Sequence, residues 1–414
     1  MPSFGLRRDP HAAALGAVAT MFFVSGMAFA NWLARIPSVR EHLSIGDRVL
    51  GLVLLGTAAG ALLAFRYAGA AILRWGSRTI TWWSAAAFCA LLPFPGLADT
   101  AIGATAALFI LGAASGLMDV GMNAQAVEVE QRLGRPVLSK LHGIFSLGAL
   151  AGAGSGSLAA AAAIPTGPHL VCVALLLMLP VLLAGAALVP EDSDREVSVG
   201  VGKPSGTLLA LGAVAFCSSV GEGAMADWTA VYLREILRTG MGTAGLGYAM
   251  YSLAMVIGRF AGDRLTTHFG PVRVVRAGGI AVAGGLGLGL ALNTVPAMMA
   301  AALCVGCGLS IVVPVVFRAG GQLRGIAPGA ALATLATLSY SGFLVGPPAI
   351  GFIAEEATLR GGLAVVVVLA VVLALLAPVV GKGERRPGRH AVLHRAAPAR
   401  SEHGSHPPIG EPAR

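Results

Sequence analysis

The run AIGATAALFILGAASGLM, residues 101–118, decides the fold class because it carries no charged side chain along its whole length. A helix of about 20 apolar residues crosses the ~30 Å hydrocarbon core of a bilayer. Runs of this kind recur along the 414 residues, of which 56% are hydrophobic and 12% charged. The mean hydropathy is +0.78. Transmembrane barrels consist instead of short strands of alternating polarity. The sequence therefore predicts an all-α polytopic membrane protein.

Twelve apolar segments are long enough to be transmembrane helices. They cover roughly residues 11–36, 47–70, 79–98, 101–127, 138–162, 167–189, 206–236, 242–265, 274–293, 295–318, 329–354 and 360–380. Most of the 29 Lys and Arg fall in the two termini and in the loops that lie on the same side of the membrane as the termini. The positive-inside rule then predicts a protein of the inner or plasma membrane with both termini in the cytoplasm. The net charge of +9 thus reflects topology, and we expect no nucleic-acid partner.

A polar stretch after the sixth span divides the spans into two sets of six. The predicted organisation is a cytoplasmic N-terminus at 1–10, an N-terminal six-helix bundle at 11–190, a cytoplasmic linker at 191–205, a C-terminal six-helix bundle at 206–380 and a disordered cytoplasmic tail at 381–414. A weak repeat relates the halves, since AFANWLA at 28–34 matches AMADWTA at 224–230. Internal duplication is typical of secondary transporters, whose binding site lies near the midplane between the repeats.

Cysteine usage and the missing motifs argue against an enzyme. The five cysteines all fall within predicted spans, and Cys304 and Cys307 lie in an apolar helix without His or carboxylate nearby. We therefore interpret them as packing residues and expect no disulfide, metal site or cofactor. The sequence contains no Gly-xxxx-Gly-Lys-Ser/Thr phosphate loop, which argues against ATP hydrolysis.

Two loops suggest a family. The segment GAAILRWGSR (69–78) resembles the Gly-xxx-Asp-Arg-x-Gly-x-Arg signature of the major facilitator superfamily, and RFAGDRLTTHFGPVR (259–273) echoes it in the second half. The resemblance implies twelve helices in two pseudo-symmetric halves that alternate access around a central cavity. It also implies that these loops act as cytoplasmic clamps, with Leu73 standing where the family has Asp. The clamp residues would be Gly69, Arg74, Gly76, Arg78, Arg259, Asp263 and Arg264.

Three further segments are similar to a bacterial branch related to the fucose permease type of sugar/proton symporter. They are FFVSGMAFANWLARIPSVREHL (22–43), GLMDVGMNAQ (116–125) and KLHGIFSLGALAG (140–152). In that type an acidic residue of the fourth helix serves in proton coupling, and Asp119 matches its position in the motif. The acid that the family carries in its first helix, expected near Asn31 to Arg35, is absent here, which argues against the two-carboxylate coupling of that type.

Asp119 is also the main candidate on physical grounds. A charged side chain near the bilayer centre costs ~2.5–3.5 kcal/mol on insertion scales, so it normally faces a cavity. The spacing of Ser115, Asp119 and Asn123 places all three on one face of the fourth helix, which we expect to line the cavity. Loss of water favours the protonated form of a carboxyl group, as a proton site requires. The structural alternative is a fixed ion pair with Arg35 or with another helix.

The remaining cavity candidates each have a structural alternative. Glu222 would bind a hydroxyl-rich or cationic ligand, form a gate with Arg35, or make a structural hydrogen bond. Asp227 and its repeat partner Asn31 would line the cavity or stabilise helix ends. His142 would relay protons or cap its own helix locally. Trp32 and Trp228 would stack on a sugar or anchor the protein at the membrane interface.

The function that these residues predict is secondary active transport, by proton-coupled uptake of a sugar-like polar compound. The first alternative is proton-driven efflux of a small hydrophobic or metabolic compound, and the second is a non-transporting membrane sensor or scaffold. The expected partners are a small-molecule substrate, protons and the lipid bilayer, and we expect a monomer.

Overall fold

The computed structural model describes residues 10–135, 137–190, 205–323, 326 and 328–383, which form helices and connecting turns without any strand. The helices are α1 Pro10–Leu33, α2 Ile36–Leu43, α3 Asp47–Leu91, α4 Phe94–Leu97, α5 Ala101–Leu133, α6 Leu138–Ala161, α7 Thr166–Gly185, α8 Gly206–Glu235, α9 Met241–Phe269, α10 Pro271–Leu292, α11 Val295–Leu309, α12 Val312–Gly321, α13 Pro328–Glu356 and α14 Leu359–Leu376. A 3-10 turn, Ala377–Gly383, follows α14. Residues 191–204 of the predicted 191–205 linker and residues 384–414 of the predicted 381–414 tail lie outside the described residues.

The helix α3 contains two of the predicted spans. It has 45 residues, which at ~1.5 Å per residue is more than twice the thickness of a bilayer core. The backbone leaves the helical region at Gly76, with φ 79° and ψ 149°, so the chain reverses there between two crossings. Within the described residues eleven helical segments are long and apolar enough to span, and α3 counts once among them. The twelve predicted crossings are therefore confirmed.

The same backbone turn recurs in the second half. Gly270, between α9 and α10, has φ 82° and ψ 151°, almost the values of Gly76. A residue with a Cβ rarely adopts this positive φ, whereas glycine does so without steric cost. The two signature loops are thus structurally equivalent, as expected for a duplicated fold.

The helix bundle has two ends, which serve below as reference faces. We call the end of the bundle where α1 begins and α14 ends the terminal face, and the other end the opposite face. In the first half α3 packs on α5 and α1 on α6, and in the second half α8 packs on α13. The two halves meet along α6 with α9 and along α3 with α13.

Glycines allow the closest helix packing. A Cβ on Gly148 or Gly152 of α6 would collide with the backbone of Phe23 or Met27 on α1. In the same way a Cβ on Gly60 of α3 would meet the backbone of α5. Small residues let helix backbones approach in lipid, where dispersion and hydrogen bonds replace the hydrophobic driving force between helices.

Large apolar side chains cover the outside of the bundle. Leu175, Leu179 and Leu183 of α7 are more than 60% exposed, as suits a surface in contact with lipid tails. Trp32 and Trp228 are instead 2% and 0% exposed. The alternative that these two tryptophans anchor the protein at the membrane interface is therefore wrong, because both rings pack within the protein.

Candidate functional site

The α5 face predicted from the helical spacing carries a connected polar pair. The Asn123 side-chain amide donates to the Asp119 carbonyl oxygen at 2.8 Å and to Asp119 Oδ1 at 3.2 Å. Ser115 lies one turn earlier and is half-buried. The carboxylate is thus held by its own helix on one oxygen, which leaves Oδ2 for a partner elsewhere.

That partner comes from the other half of the protein. The hydroxyl of Tyr340, on α13, donates to Asp119 Oδ2 at 2.7 Å. The Tyr340 ring rests on Phe65 of α3, with centroids 4.3 Å apart. The Asp119 carboxylate therefore bridges the two halves through a short hydrogen bond to an ionised or ionisable acceptor.

The alternative ion pair between Asp119 and Arg35 does not form. Arg35 lies near the opposite face, where its Nη2 donates to the Ile164 carbonyl at 2.6 Å and to Thr166 Oγ at 3.0 Å. Both partners belong to the first half, so the expected gate between Arg35 and Glu222 is not formed either.

His142 extends the Asp119 network along α6. Its Nε2 lies 3.2 Å from Asn123 Oδ1. Because the Asn123 amide nitrogen already donates to Asp119, Asn123 Oδ1 acts as the acceptor and His142 Nε2 carries the proton. The alternative that His142 caps its own helix is wrong, since the side chain reaches α5 and α6 has no side-chain cap.

Arg259 makes a second connection between the halves. From α9, its Nη1 donates to Ser146 Oγ at 2.7 Å and to the His142 carbonyl at 3.4 Å, both on α6. The sequence interpretation placed Arg259 among the clamp residues, whereas its side chain ends next to the Asp119 network. The network is thus tied to the second half at both ends, by Tyr340 and by Arg259.

A small cavity of about 50 Å³ adjoins this connection. Its lining consists of Phe145, Ser146, Ala149, Glu222, Tyr248, Tyr251, Ser252, Met255 and Arg259. A cavity needs about 10–15 Å³ of such volume to hold one water molecule, so this space holds a few waters and no sugar. The halves must separate on one side before a solute can enter.

The carboxylates of α8 differ in their surroundings. Glu222 lines the cavity and accepts from Ser218 Oγ at 3.3 Å. Asp227 is half-buried, and it lies more than one helical turn beyond Glu222 on α8, closer to the opposite face.

Asn31 lies away from the cavity lining, within the first half. Its Nδ2 donates to the Met27 carbonyl at 2.9 Å, and its Oδ1 accepts from Ser155 Oγ of α6 at 3.2 Å. Asn31 thus joins α1 to α6, and the two repeat partners Asn31 and Asp227 have different environments.

The signature loops make bonds within their own halves. Arg78 Nη2 donates to the Ala186 carbonyl at 3.3 Å, and Arg318 Nη2 lies 3.4 Å from Asp263 Oδ1. The guanidinium of Arg74 stacks on Trp75 at 5.1 Å. Gly69 has open space around its Cβ position and Arg264 is exposed. Among the described residues of these loops, the bond from Arg259 is the one that crosses to the other half.

On the opposite face, ion pairs cross between the halves. Arg40 of α2 lies 3.0 Å from Glu235 of α8, and the neighbouring residues pair with reversed charge, Glu41 with Arg234 at 2.8 Å. A third pair joins Arg48 of α3 to Glu356 of α13. The halves are therefore joined on the opposite face as well as at the Asp119 network.

The comparisons with known proteins identify the family. The model of the Major Facilitator Superfamily matches residues 17–318 and again residues 208–405. The chain belongs to the major facilitator superfamily. Its second match begins close to the start of α8, in agreement with the duplicated halves.

Relatives and solved structures of the superfamily cover nearly the whole chain. An uncharacterised MFS-type transporter of Yersinia pestis is 32% identical over 87% of this chain and 94% of its own length. The membrane protein MosC of Rhizobium meliloti is 31% identical over 90% and 92%. The crystal structure of the nucleoside transporter NupG has a TM-score of 0.70 at 12% identity, over 90% of this chain and 100% of that one. This chain is thus an MFS-type transporter and a multi-pass membrane protein.

Sequence reasoning missed the residues that join the network to the second half. Tyr340 stands among other hydroxyl residues of its helix, between Ser339 and Ser341, and Ser146 is one of several serines in α6, so nothing in the sequence singles either out as a partner of another helix. The pairing of Arg40 and Glu41 with Glu235 and Arg234 carries a weak signal, since both segments hold adjacent opposite charges at predicted helix ends.

Proposed function

We propose that this protein takes up a small polar solute together with protons, and that Asp119 is the proton site. The observation that carries the proposal is the hydrogen bond from Tyr340 to Asp119, because it joins a titratable group of one half to the other half. The resemblance to sugar/proton symporters of the fucose permease type supports the same role for Asp119.

The bond gives protonation a mechanical consequence. A hydrogen bond to an ionised carboxylate is roughly twice as strong as one between neutral groups. When Asp119 binds a proton, its Oδ2 becomes a weaker acceptor for Tyr340, and the contact that this hydrogen bond makes between the two halves loosens. When the proton leaves, the contact tightens again. Proton binding is thus linked to the equilibrium between conformations, as coupled transport requires.

The character of the cavity supports a polar solute. Six of its nine lining residues have hydrogen-bonding side chains: Ser146, Glu222, Tyr248, Tyr251, Ser252 and Arg259. A cavity for hydrophobic efflux substrates would be lined mainly by Met and Phe. Transporters of nucleosides and of organic anions share this fold, so the substrate class has to be argued from the site.

The direction of transport follows from the proposed topology. With the terminal face in the cytoplasm, a proton that reaches Asp119 from outside weakens the inner contact and favours opening toward the cytoplasm. Reporter fusions in the 191–205 linker and in the 381–414 tail test this arrangement, with an internal signal expected at both. An external signal at either point would contradict the predicted topology and span count, and with them this direction.

The decisive experiment is Asp119→Asn in proteoliposomes with an identified substrate. Asn keeps the size of the side chain but cannot exchange a proton, so we expect accumulation driven by a proton gradient to be lost. Counterflow between equal pools should persist, because exchange of bound substrate does not require proton release. Accumulation by the Asn variant under a proton gradient alone would refute the role of Asp119. Asp263→Asn is the control, since Asp263 is an exposed carboxylate of the terminal face.

A further inference from the structure

A carboxyl group and a guanidinium, those of Glu222 and Arg259, line the same small cavity. Glu222 accepts a hydrogen bond from Ser218 of its own helix, whereas Arg259 donates to Ser146 and His142 of the other half. Both line the same space of about 50 Å³, and they form no ion pair within 4 Å. A charge in a low-dielectric site is costly unless it is paired, so each group favours a ligand of the opposite charge or dipole.

The partners of Glu222 leave it available to a cation. Among the described residues, its one hydrogen-bond partner is Ser218, whose Oγ donates to Oε1 at 3.3 Å. Tyr248 and Tyr251 line the same cavity, and their rings stack with centroids 5.5 Å apart. Aromatic faces attract ammonium groups, and a carboxylate beside aromatic rings is a favourable arrangement for an amine.

Arg259 has donors left for an oxygen. A guanidinium has five N–H groups, and the contacts of Arg259 with α6 use Nη1. The remaining donors belong to a side chain that lines the cavity. They suit a hydroxyl or another oxygen acceptor of the same ligand.

We propose that the transported solute carries both an amine and oxygen acceptors, with the ammonium bound by Glu222 beside the rings of Tyr248 and Tyr251 and an oxygen bound by Arg259. This inference rests on the proposed function and narrows its substrate class from sugar-like compounds to amino-bearing polyols. The ligand enters only when the halves separate, because the closed cavity is smaller than any such molecule.

Binding to the purified full-length protein tests the inference without a proton gradient. The probes are three matched sets: glucose, glucosamine and N-acetylglucosamine; galactose, galactosamine and N-acetylgalactosamine; and glycerol, serinol and N-acetylserinol. Ligands that bind the native state raise the apparent Tm. We expect at least one amine to bind about 10- to 100-fold more tightly than its hydroxyl and N-acetyl partners, as befits a hydrogen bond to a charged group. Cyclohexylamine, which lacks oxygen acceptors, should not bind.

Two variants separate a specific role of Glu222 from a general charge effect. Glu222→Gln should remove the preference for the amine, whereas Glu128→Gln should keep it, since Glu128 pairs with Arg132 on α5. The inference is overturned if the wild type prefers no amine in the three sets, if cyclohexylamine binds as well as the amino polyol, or if Glu222→Gln retains the preference. Because binding is measured without a gradient, these outcomes are distinct from those of Asp119→Asn, which test the proton coupling.

Discussion

The two regions where the halves meet are built from different interactions. Near the Asp119 network the halves are joined by partly buried hydrogen bonds, from Tyr340 to Asp119 and from Arg259 to Ser146. On the opposite face they are joined by ion pairs whose side chains are 17% to 76% exposed. On the proposed function, we expect the first region to respond to protonation of Asp119, and we expect the second to respond mainly to ionic strength.

The energies of the two regions differ as well. A hydrogen bond to a charged group contributes about 1.5–3 kcal/mol when it is shielded from water. An exposed ion pair typically contributes about 0.2–1 kcal/mol and is screened by salt. We therefore expect one bond of the Asp119 network to weigh as much in the conformational equilibrium as several pairs of the opposite face.

Distances between spin labels measure this equilibrium on each face. Labels at Leu73 of α3 and Phe269 of α9, 64% and 50% exposed, report on the terminal face. Labels at Ile102 of α5 and Leu292 of α10, 83% and 57% exposed, report on the opposite face. The five native cysteines, which are all free thiols, are first replaced.

The largest effect is expected for Arg259→Gln. The substitution removes the charged donor that joins α9 to α6. The fraction of molecules with a long distance between the labels at 73 and 269 should therefore rise at least about tenfold. Arg78→Gln is the matched control, because the bond of Arg78 to the Ala186 carbonyl stays within the first half. Equal shifts in both variants would mean that Arg259 does not hold the halves together.

Tyr340→Phe should have the next largest effect. It removes one interhalf hydrogen bond and keeps the ring against Phe65, so we expect opening of the terminal face by up to about tenfold. The same 73–269 label pair measures it. Tyr67→Phe on α3 is the control, since Tyr67 is 60% exposed.

The Tyr340 effect should also depend on Asp119. In a protein that already carries Asp119→Asn, Tyr340→Phe should open the terminal face less than it does in the wild type, because the acceptor is no longer ionised. An undiminished effect would show that the hydroxyl acts through another group.

Charge reversal tests the opposite face. Glu41→Arg alone should raise the fraction of molecules with a long distance between the labels at 102 and 292 about two- to fivefold. Adding Arg234→Glu should restore the original distribution. High salt should reproduce part of the single-variant effect. Asp99→Asn is the control, because Asp99 pairs with His42 within the first half. Failure of the double variant to restore closure would contradict a role for this pair.

The smallest effect is expected for Asp263→Asn. Asp263 and Arg318 are 74% and 61% exposed at 3.4 Å and belong to the same half. We expect less than about a twofold change in the 73–269 distribution. A change as large as that of Arg259→Gln would show that the signature loop clamps the halves after all.

Several features of the molecule could be predicted from particular residues. The apolar run at 101–118 predicts a spanning helix because a backbone in lipid has to satisfy its own hydrogen bonds. The spacing of Asp119 and Asn123 predicts a shared helix face, and the two side chains are indeed hydrogen-bonded. These predictions depend on interactions within one helix, so the local sequence contains the information that they need.

The partners between helices were decided only by the tertiary structure. Tyr340 lies 221 residues from Asp119, and no periodic pattern relates the two. Arg35, which the sequence left open as a partner of Asp119 or Glu222, donates instead to a carbonyl of the first half. The choice depends on how each helix is rotated and at what depth it crosses its neighbours, and small residues such as Gly148 allow that packing without specifying it. The sequence by itself therefore determined the spans and the face on which Asp119 lies, and the packing of α3 against both α5 and α13 decided what Asp119 binds.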